Sequence, residues 1–235
     1  MKNIFITGAN RGIGFELVNQ NLHRGNKVWA TFREKGNALQ LIELEKTSKN
    51  LICIQMDVSD EASIEDAAKA ISKETKFDIL FNNAGIIDWD DFSHVKAKSF
   101  ADIYQVNVIG VFLVMRHFHK FLVPEIPLSK ARIVNLSSRL GSIELRGNTQ
   151  LGGAIAYQCS KAALNMLSKQ ASIEFLDKGI SVISMSPGWV KTDMGGTDAK
   201  YEISESVEMV LSTLDDLPIE KTGIFIGEDG REIAW

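Results

Sequence analysis

Tyr157 follows Ser138 by nineteen residues and precedes Lys161 by four. On a helix, positions i and i+4 share a face one turn apart, so a phenol and an ammonium would stand together. A fixed positive charge favours phenolate and lowers the phenol pKa from its ordinary value of about 10. A phenol tuned toward neutrality can protonate a developing alkoxide. The pair alone is not specific, because Tyr and Lys fall at this spacing on many solvated helix faces. Its weight depends on the elements that carry it.

Those elements alternate along the chain. Apolar runs at 2–7, 27–32, 51–57, 78–82, 132–136, 180–184 and 223–226 predict strands. Segments 12–24, 37–47, 98–122 and 156–178 predict helices, with a further one opening at Asp60. Continuous runs such as Ile79-Leu80-Phe81 suit a parallel sheet covered on both faces. Repeated βα units then imply an α/β fold, a Rossmann-type doubly wound parallel sheet of about seven strands with helices on both faces. No linker or composition break divides the chain, so residues 1–235 read as one domain.

Composition narrows the partners. A chain of 235 residues can bury a large core, and 45% hydrophobic with 24% charged residues is ordinary for a globular protein. A net charge of −4 gives no electrostatic reason to expect nucleic acid. No apolar run of membrane-spanning length stands out, and the start of the chain lacks a signal-peptide layout, so no membrane partner and a cytoplasmic location are expected. Cys53 and Cys159 read as two reduced, packed thiols. His117 and His119 would point different ways on a helix, and no metal site is expected.

Thr7-Gly8-Ala9-Asn10-Arg11-Gly12-Ile13-Gly14 occupies the first strand-to-helix turn. Its glycines are spaced G-x-x-x-G-x-G, unlike G-x-G-x-x-G, but the mechanics are shared. Glycines let the backbone approach a pyrophosphate, and the helix N-terminus offers free N–H groups and a positive dipole end. Gly8, Asn10, Arg11, Gly12, Ile13 and Gly14 are therefore expected to hold a dinucleotide. The acidic residue that an NAD site carries at the end of the second strand is replaced here by Phe32, followed by Arg33. Arg11 and Arg33 could grip a 2′-phosphate, which favours NADP(H) over NAD(H). Glu34 is the complication: it could serve a ribose hydroxyl or neutralise Arg33. Arg33 could also be a plain surface residue.

Further ordered motifs follow: Asp57-Val58, Asn82-Asn83-Ala84-Gly85, Asn107, Ser137-Ser138 and Pro187-Gly188. On them, from residue 2 to the C-terminus, the chain resembles the compact form of the short-chain dehydrogenase/reductase family. It looks most like the sniffer and C-factor group of carbonyl-reductase-like proteins. The clues are Ser-Ser-Arg-Leu-Gly-Ser-Ile, a long Ser-to-Tyr gap, and a tail of Asp229-Gly230 ending in Trp235.

The resemblance implies a catalytic set of Asn107, Ser138, Tyr157 and Lys161. Ser138 would orient a carbonyl oxygen, with Ser137 as its rival. Tyr157 would deliver the proton. Lys161 would depress the Tyr157 pKa and hold the nicotinamide ribose. Asn107 would open its helix locally and position water, or else simply bond a neighbouring helix. Asp57 with Val58 would hold the adenine, and Asn83, Ala84 and Gly85 would line the coenzyme. Pro187, Gly188 and Val190 would face the nicotinamide, with Thr192 on its carboxamide or a phosphate. The implied reaction is reduction of a small-molecule ketone or aldehyde. A 3-oxoacyl thioester reductase would use the same four residues, and a signalling or nucleotide-sensing protein with little turnover is a third reading. Residues 143–153 would cover the substrate mouth, with Ile143, Leu145, Leu151, Trp189 and Met194 as candidate walls. Residues 191–201 would form a lid. The helices at 98–122 and 156–178 would pair across a two-fold axis in a homodimer or homotetramer.

Overall fold

The computed structural model describes residues 1–122, 131–147 and 153–235. Seven parallel strands form one sheet in the order β3-β2-β1-β4-β5-β6-β7. They are β1 (Asn3–Ile6), β2 (Lys27–Phe32), β3 (Leu51–Gln55), β4 (Ile79–Asn82), β5 (Ala131–Leu136), β6 (Ile180–Ser186) and β7 (Phe225–Gly227). The helices are α1 (Gly12–His23), α2 (Leu39–Thr47), α3 (Glu61–Ala70), α4 (Ala97–Tyr104), α5 (Val111–Phe118), α6 (Ile155–Glu174) and α7 (Ile203–Asp216). The doubly wound α/β fold is as the sequence predicts.

Alternation along each strand explains the two cores. Phe5, Leu80 and Ile133 face α3, α5 and α6. Ile4, Ile6, Phe81 and Val134 face α1, α2 and α7. Both faces of the strands are buried, as a parallel sheet requires. Asp60 caps α3 by accepting a bond from the Ala62 N–H at 3.0 Å.

Three features differ from what the sequence suggests. The helix predicted at 98–122 is interrupted: a π turn, Gln105–Gly110, separates α4 from α5. By length and composition the helical stretch Ala97–Phe121 could also cross a membrane, contrary to the reading that no such run exists. Here α4 packs on α6 and α5 on α3, while Val111, Val114, Met115 and Phe118 lie in the core. Finally, α7 has no counterpart in the sequence reading, although Val207, Val210, Leu211 and Leu214 carry helical periodicity and fill the core beside α1.

Candidate active site

Chain order reverses between β1 and β4, and ligands of open α/β sheets bind outside the carboxyl ends of strands at such a point. A cavity of about 1140 Å³ opens there. The turn after β1 forms its floor. Gly8 has φ +63°, and a β-carbon at this residue would lie 2.9 Å from the Ala84 Cα. A β-carbon at Gly14 would collide with the Gly8 carbonyl and the Asn83 amide. Glycine is needed at both because α1 starts hard against the β4 loop, with its free N–H groups toward the cavity.

Thr7, to which the sequence reading gave no role, stitches this floor together. Its hydroxyl accepts from the Asn83 and Ala84 N–H groups at 3.0 and 3.1 Å. The Asn83 amide in turn donates to the Thr7 and Gly8 carbonyls, both at 2.9 Å. The side chain of Asn83 thus shapes the loop, while the residue still borders the cavity.

Sixteen of the eighteen residues expected to hold a coenzyme line the cavity; Gly188 and Val190 do not. At Gly188 a β-carbon would lie 2.9 Å from the Glu228 carboxyl carbon and from the Tyr201 ring, so its backbone is backed by these side chains. Val190 is buried and bridges to Tyr201. The lining also includes Asn37, Asp193, Thr197 and Ile203, none of which motif reading singled out.

The two candidate phosphate readers already have acidic partners. Arg33 pairs with Glu34 at 3.3 Å, and Arg11 pairs with Asp193. All four side chains are exposed, so each pair is worth little and is easily exchanged for a ligand phosphate. The Arg11 pair hooks segment 191–196 onto the phosphate turn. Asp57 accepts from the Ser59 N–H and hydroxyl at 2.8 and 2.7 Å, beside Arg33.

At the far end, α6 places Tyr157 and Lys161 on one buried face. The Lys161 Nζ lies 5.5 Å from the Tyr157 ring centroid and donates to the Leu136 carbonyl at 2.7 Å. Burial pulls the Lys161 pKa down to about 8. Ser138 beside the Tyr157 hydroxyl favours its ionised form, yet burial dominates and pushes the pKa up to about 12. The expectation that Lys161 depresses the Tyr157 pKa is therefore corrected. Its ammonium lies over the ring while the phenol is desolvated, and desolvation opposes phenolate.

Ser137 and Ser138 part company. Ser137 lines the cavity, which Ser138 does not, but its hydroxyl donates inward to Asn165 Oδ1 at 2.7 Å. Ser138 Oγ accepts from the Leu140 N–H at 3.1 Å, leaving its O–H free to donate toward Tyr157. Asn107 sits in the π turn, fully buried. Its amide donates to the Ile86 carbonyl and to Ser160 Oγ at 2.9 and 3.0 Å, and accepts from the Ile86 N–H at 2.9 Å. The helix is open locally, as the resemblance implies. The side chain itself ties the β4 loop to α6, so water held at this turn would have to use its backbone.

Of the candidate walls, Met194 lines the cavity, whereas Ile143, Leu145 and Trp189 are exposed and Leu151 lies outside the described residues. Segment 191–201 is anchored by the Val190–Tyr201 bridge and a bond from Trp189 Nε1 to the Gly195 carbonyl at 2.8 Å. Cys53 is half-buried, with its thiol pushed up to about 12 by desolvation, but Cys159 is exposed, not packed. Among the described residues no cluster of three or more His, Cys, Asp or Glu could hold a metal.

Comparison with known proteins places this geometry. The profile of the short chain dehydrogenase family matches residues 2–202. The NADPH-bound carbonyl reductase from chicken fatty liver is 36% identical, with a TM-score of 0.93, covering 100% of this chain and 99% of its own. Carbonyl reductase Sniffer of Drosophila melanogaster is 31% identical, with a TM-score of 0.91 and full coverage of both chains at 100%. C-signal of Myxococcus xanthus is 36% identical over 160 residues, which is 67% of this chain and 92% of that protein.

Proposed function

This chain belongs to the short chain dehydrogenase family of oxidoreductases, and on that premise we propose that it reduces ketones or aldehydes with NADPH, with Tyr157 as proton donor. Residues 1–235 would act as one coenzyme-binding domain. The observation that carries the reading is the buried pair Tyr157 and Lys161 at one end of a dinucleotide-sized cavity, with Ser138 beside Tyr157.

The residues fit the coenzyme. Gly8 and Gly14 let the phosphate turn and α1 pack against the β4 loop at the cavity floor, and the α1 N-terminus supplies N–H donors. When bound, the nicotinamide supplies the hydride. As negative charge develops on the substrate oxygen, the Ser138 O–H would turn from Tyr157 to donate to it and Tyr157 would hand over its proton. Because the Tyr157 pKa is raised, the acid form dominates throughout the neutral range. Lys161 would hold the ribose hydroxyls beside it, and the Asn107 turn keeps the β4 loop and α6 in register.

NADPH oxidation should be seen with at least one of an aromatic aldehyde, a diketone and an acetoacetyl thioester. The likeness to C-signal favours one second reading, a nucleotide-sensing protein. Tight NADPH binding without turnover on a broad carbonyl panel would support it and sink the reductase. The choice of coenzyme rests on Arg11 and Arg33, and the chicken liver relative carries NADPH. Arg33→Asp is expected to shift the NADPH/NADH ratio of kcat/KM at least about tenfold toward NADH, since a guanidinium–phosphate pair becomes a repulsion. An unchanged ratio would remove Arg33 from this role. Exposed Tyr104, Ile109 and Phe112 on the α4–α5 stretch and Met166 and Ile173 on α6 suit two-fold association, which sedimentation would reveal as a dimer or tetramer.

A further inference from the structure

We propose that Glu228 is a positioning residue, a buried carboxylate that acts through Arg139 to fix the turn presenting the Ser138 hydroxyl. The proposal rests on the reading of Ser138 and Tyr157 given above.

Glu228 follows β7 at the carboxyl edge of the sheet and is only 5% exposed, yet it does not line the coenzyme cavity. A buried charge is costly unless paired. Its partner is the guanidinium of Arg139, at 3.2 Å, which also reaches Asp229 at 3.4 Å. Arg139 directly follows Ser138 and opens the 3₁₀ turn Arg139–Gly141. Gly227 makes the approach possible: a β-carbon there would run into the Arg139 guanidinium.

The same turn is seated at its other end on α6. A β-carbon at Gly141 would lie 2.7 Å from the Lys161 backbone, and the Asn165 amide donates to the Gly141 carbonyl at 3.3 Å. Inside the turn, the Leu140 N–H occupies the acceptor side of Ser138 Oγ. The direction of the Ser138 O–H therefore follows the turn, and the turn is clamped between Lys161 and Glu228. Glu228 also backs Gly188 at the end of β6, so one carboxyl group ties together two of the strand ends that border the site. Losing the clamp loosens one end of the turn while leaving the phosphate floor and α6 untouched. The expected signature is a loss in kcat without a loss of coenzyme affinity.

The test uses Glu228→Gln, Arg139→Gln and the double variant of the full chain. Carbonyl reduction is measured alongside NADPH titration by fluorescence and thermal melting. Each single variant should lower kcat about tenfold, with NADPH Kd within about twofold, because misplacement costs rate rather than binding. The double variant should be no worse than the worse single, since the two residues act as a unit. Arg139→Lys should recover part of the rate by keeping the charge. The proposal is overturned if both singles keep wild-type kcat, or if their losses multiply. Should Glu228→Gln fail to fold, Arg139→Gln and Arg139→Lys decide, since Arg139 is partly exposed. Tyr157→Phe separates the two levels. If it is dead while the Glu228 and Arg139 variants are fully active, only the clamp falls. If it keeps full turnover, the proton-donor reading falls and the clamp's function falls with it.

Discussion

Tyr157→Phe is expected to lower kcat by about 10²–10⁴-fold, the span that a positioned general acid contributes. NADPH affinity should change little, because phenylalanine keeps the ring over which Lys161 lies. The hydroxyl is buried beside Ser138, with its pKa pushed up to about 12 by desolvation. It therefore holds its proton across the neutral range, the form an acid needs. Ser138 is the other hydroxyl at this position, but a serine hydroxyl stabilises charge and does not readily yield its proton. Steady-state NADPH oxidation and a coenzyme titration on the same preparation check both halves. A normal rate would show that the proton comes from another group.

The parts of this site that were legible in sequence are those set by local spacing. Gly8, Gly12 and Gly14 announce a phosphate turn because only glycine tolerates its backbone and contacts. Tyr157 and Lys161 share a face because a helix repeats every 3.6 residues. The parallel sheet of seven strands and its two-sided cores followed from apolar runs separated by helices. The parts that were not legible depend on long-range partners. Asn83 lines the cavity as expected, yet the bonds of its amide to the Thr7 and Gly8 carbonyls were not legible; for Asn107 only the structure shows that the bond to a neighbouring helix is made, to Ser160 on α6. The packing behind Gly188 was equally hidden, since Glu228 stands forty positions later. The sign of the Tyr157 shift belongs to the same class. Proximity to Lys161 predicts a lowered pKa, and only the depth of burial shows that desolvation wins. In α7 the helical signal is present in Val207, Val210, Leu211 and Leu214.

Lys161→Met should separate function from stability in opposite directions. Turnover should fall by about 10²-fold or more, because on the proposed reading the ammonium that would hold the nicotinamide ribose in register with Tyr157 is gone. NADPH should bind at least about tenfold more weakly, the worth of one charge-assisted bond. The unliganded protein, by contrast, should become more stable at pH 7. Burial holds the Lys161 pKa down at about 8, against 10.5 for the free side chain. Below pH 8 both folded and unfolded chains carry the proton, and the folded state bears the full cost of a desolvated ammonium. A depression of this size corresponds to about 3 kcal/mol, offset in part by the bond to the Leu136 carbonyl that methionine cannot make. As pH rises from 8 to 10.5 the folded chain sheds its proton before the unfolded one does, so the cost shrinks; above 10.5 it vanishes. The advantage of Lys161→Met in denaturant melts should accordingly be greatest below pH 8 and fade toward pH 10.5. Tyr157, whose raised pKa weakens the fold above pH 10, is common to both proteins and cancels in the difference. A variant that lost stability at pH 7, with no narrowing of the gap at high pH, would mean that Lys161 is held here for packing. A pH-dependent gain joined to lost coenzyme affinity would mean that the fold sustains an unfavourable buried charge for the ligand it meets.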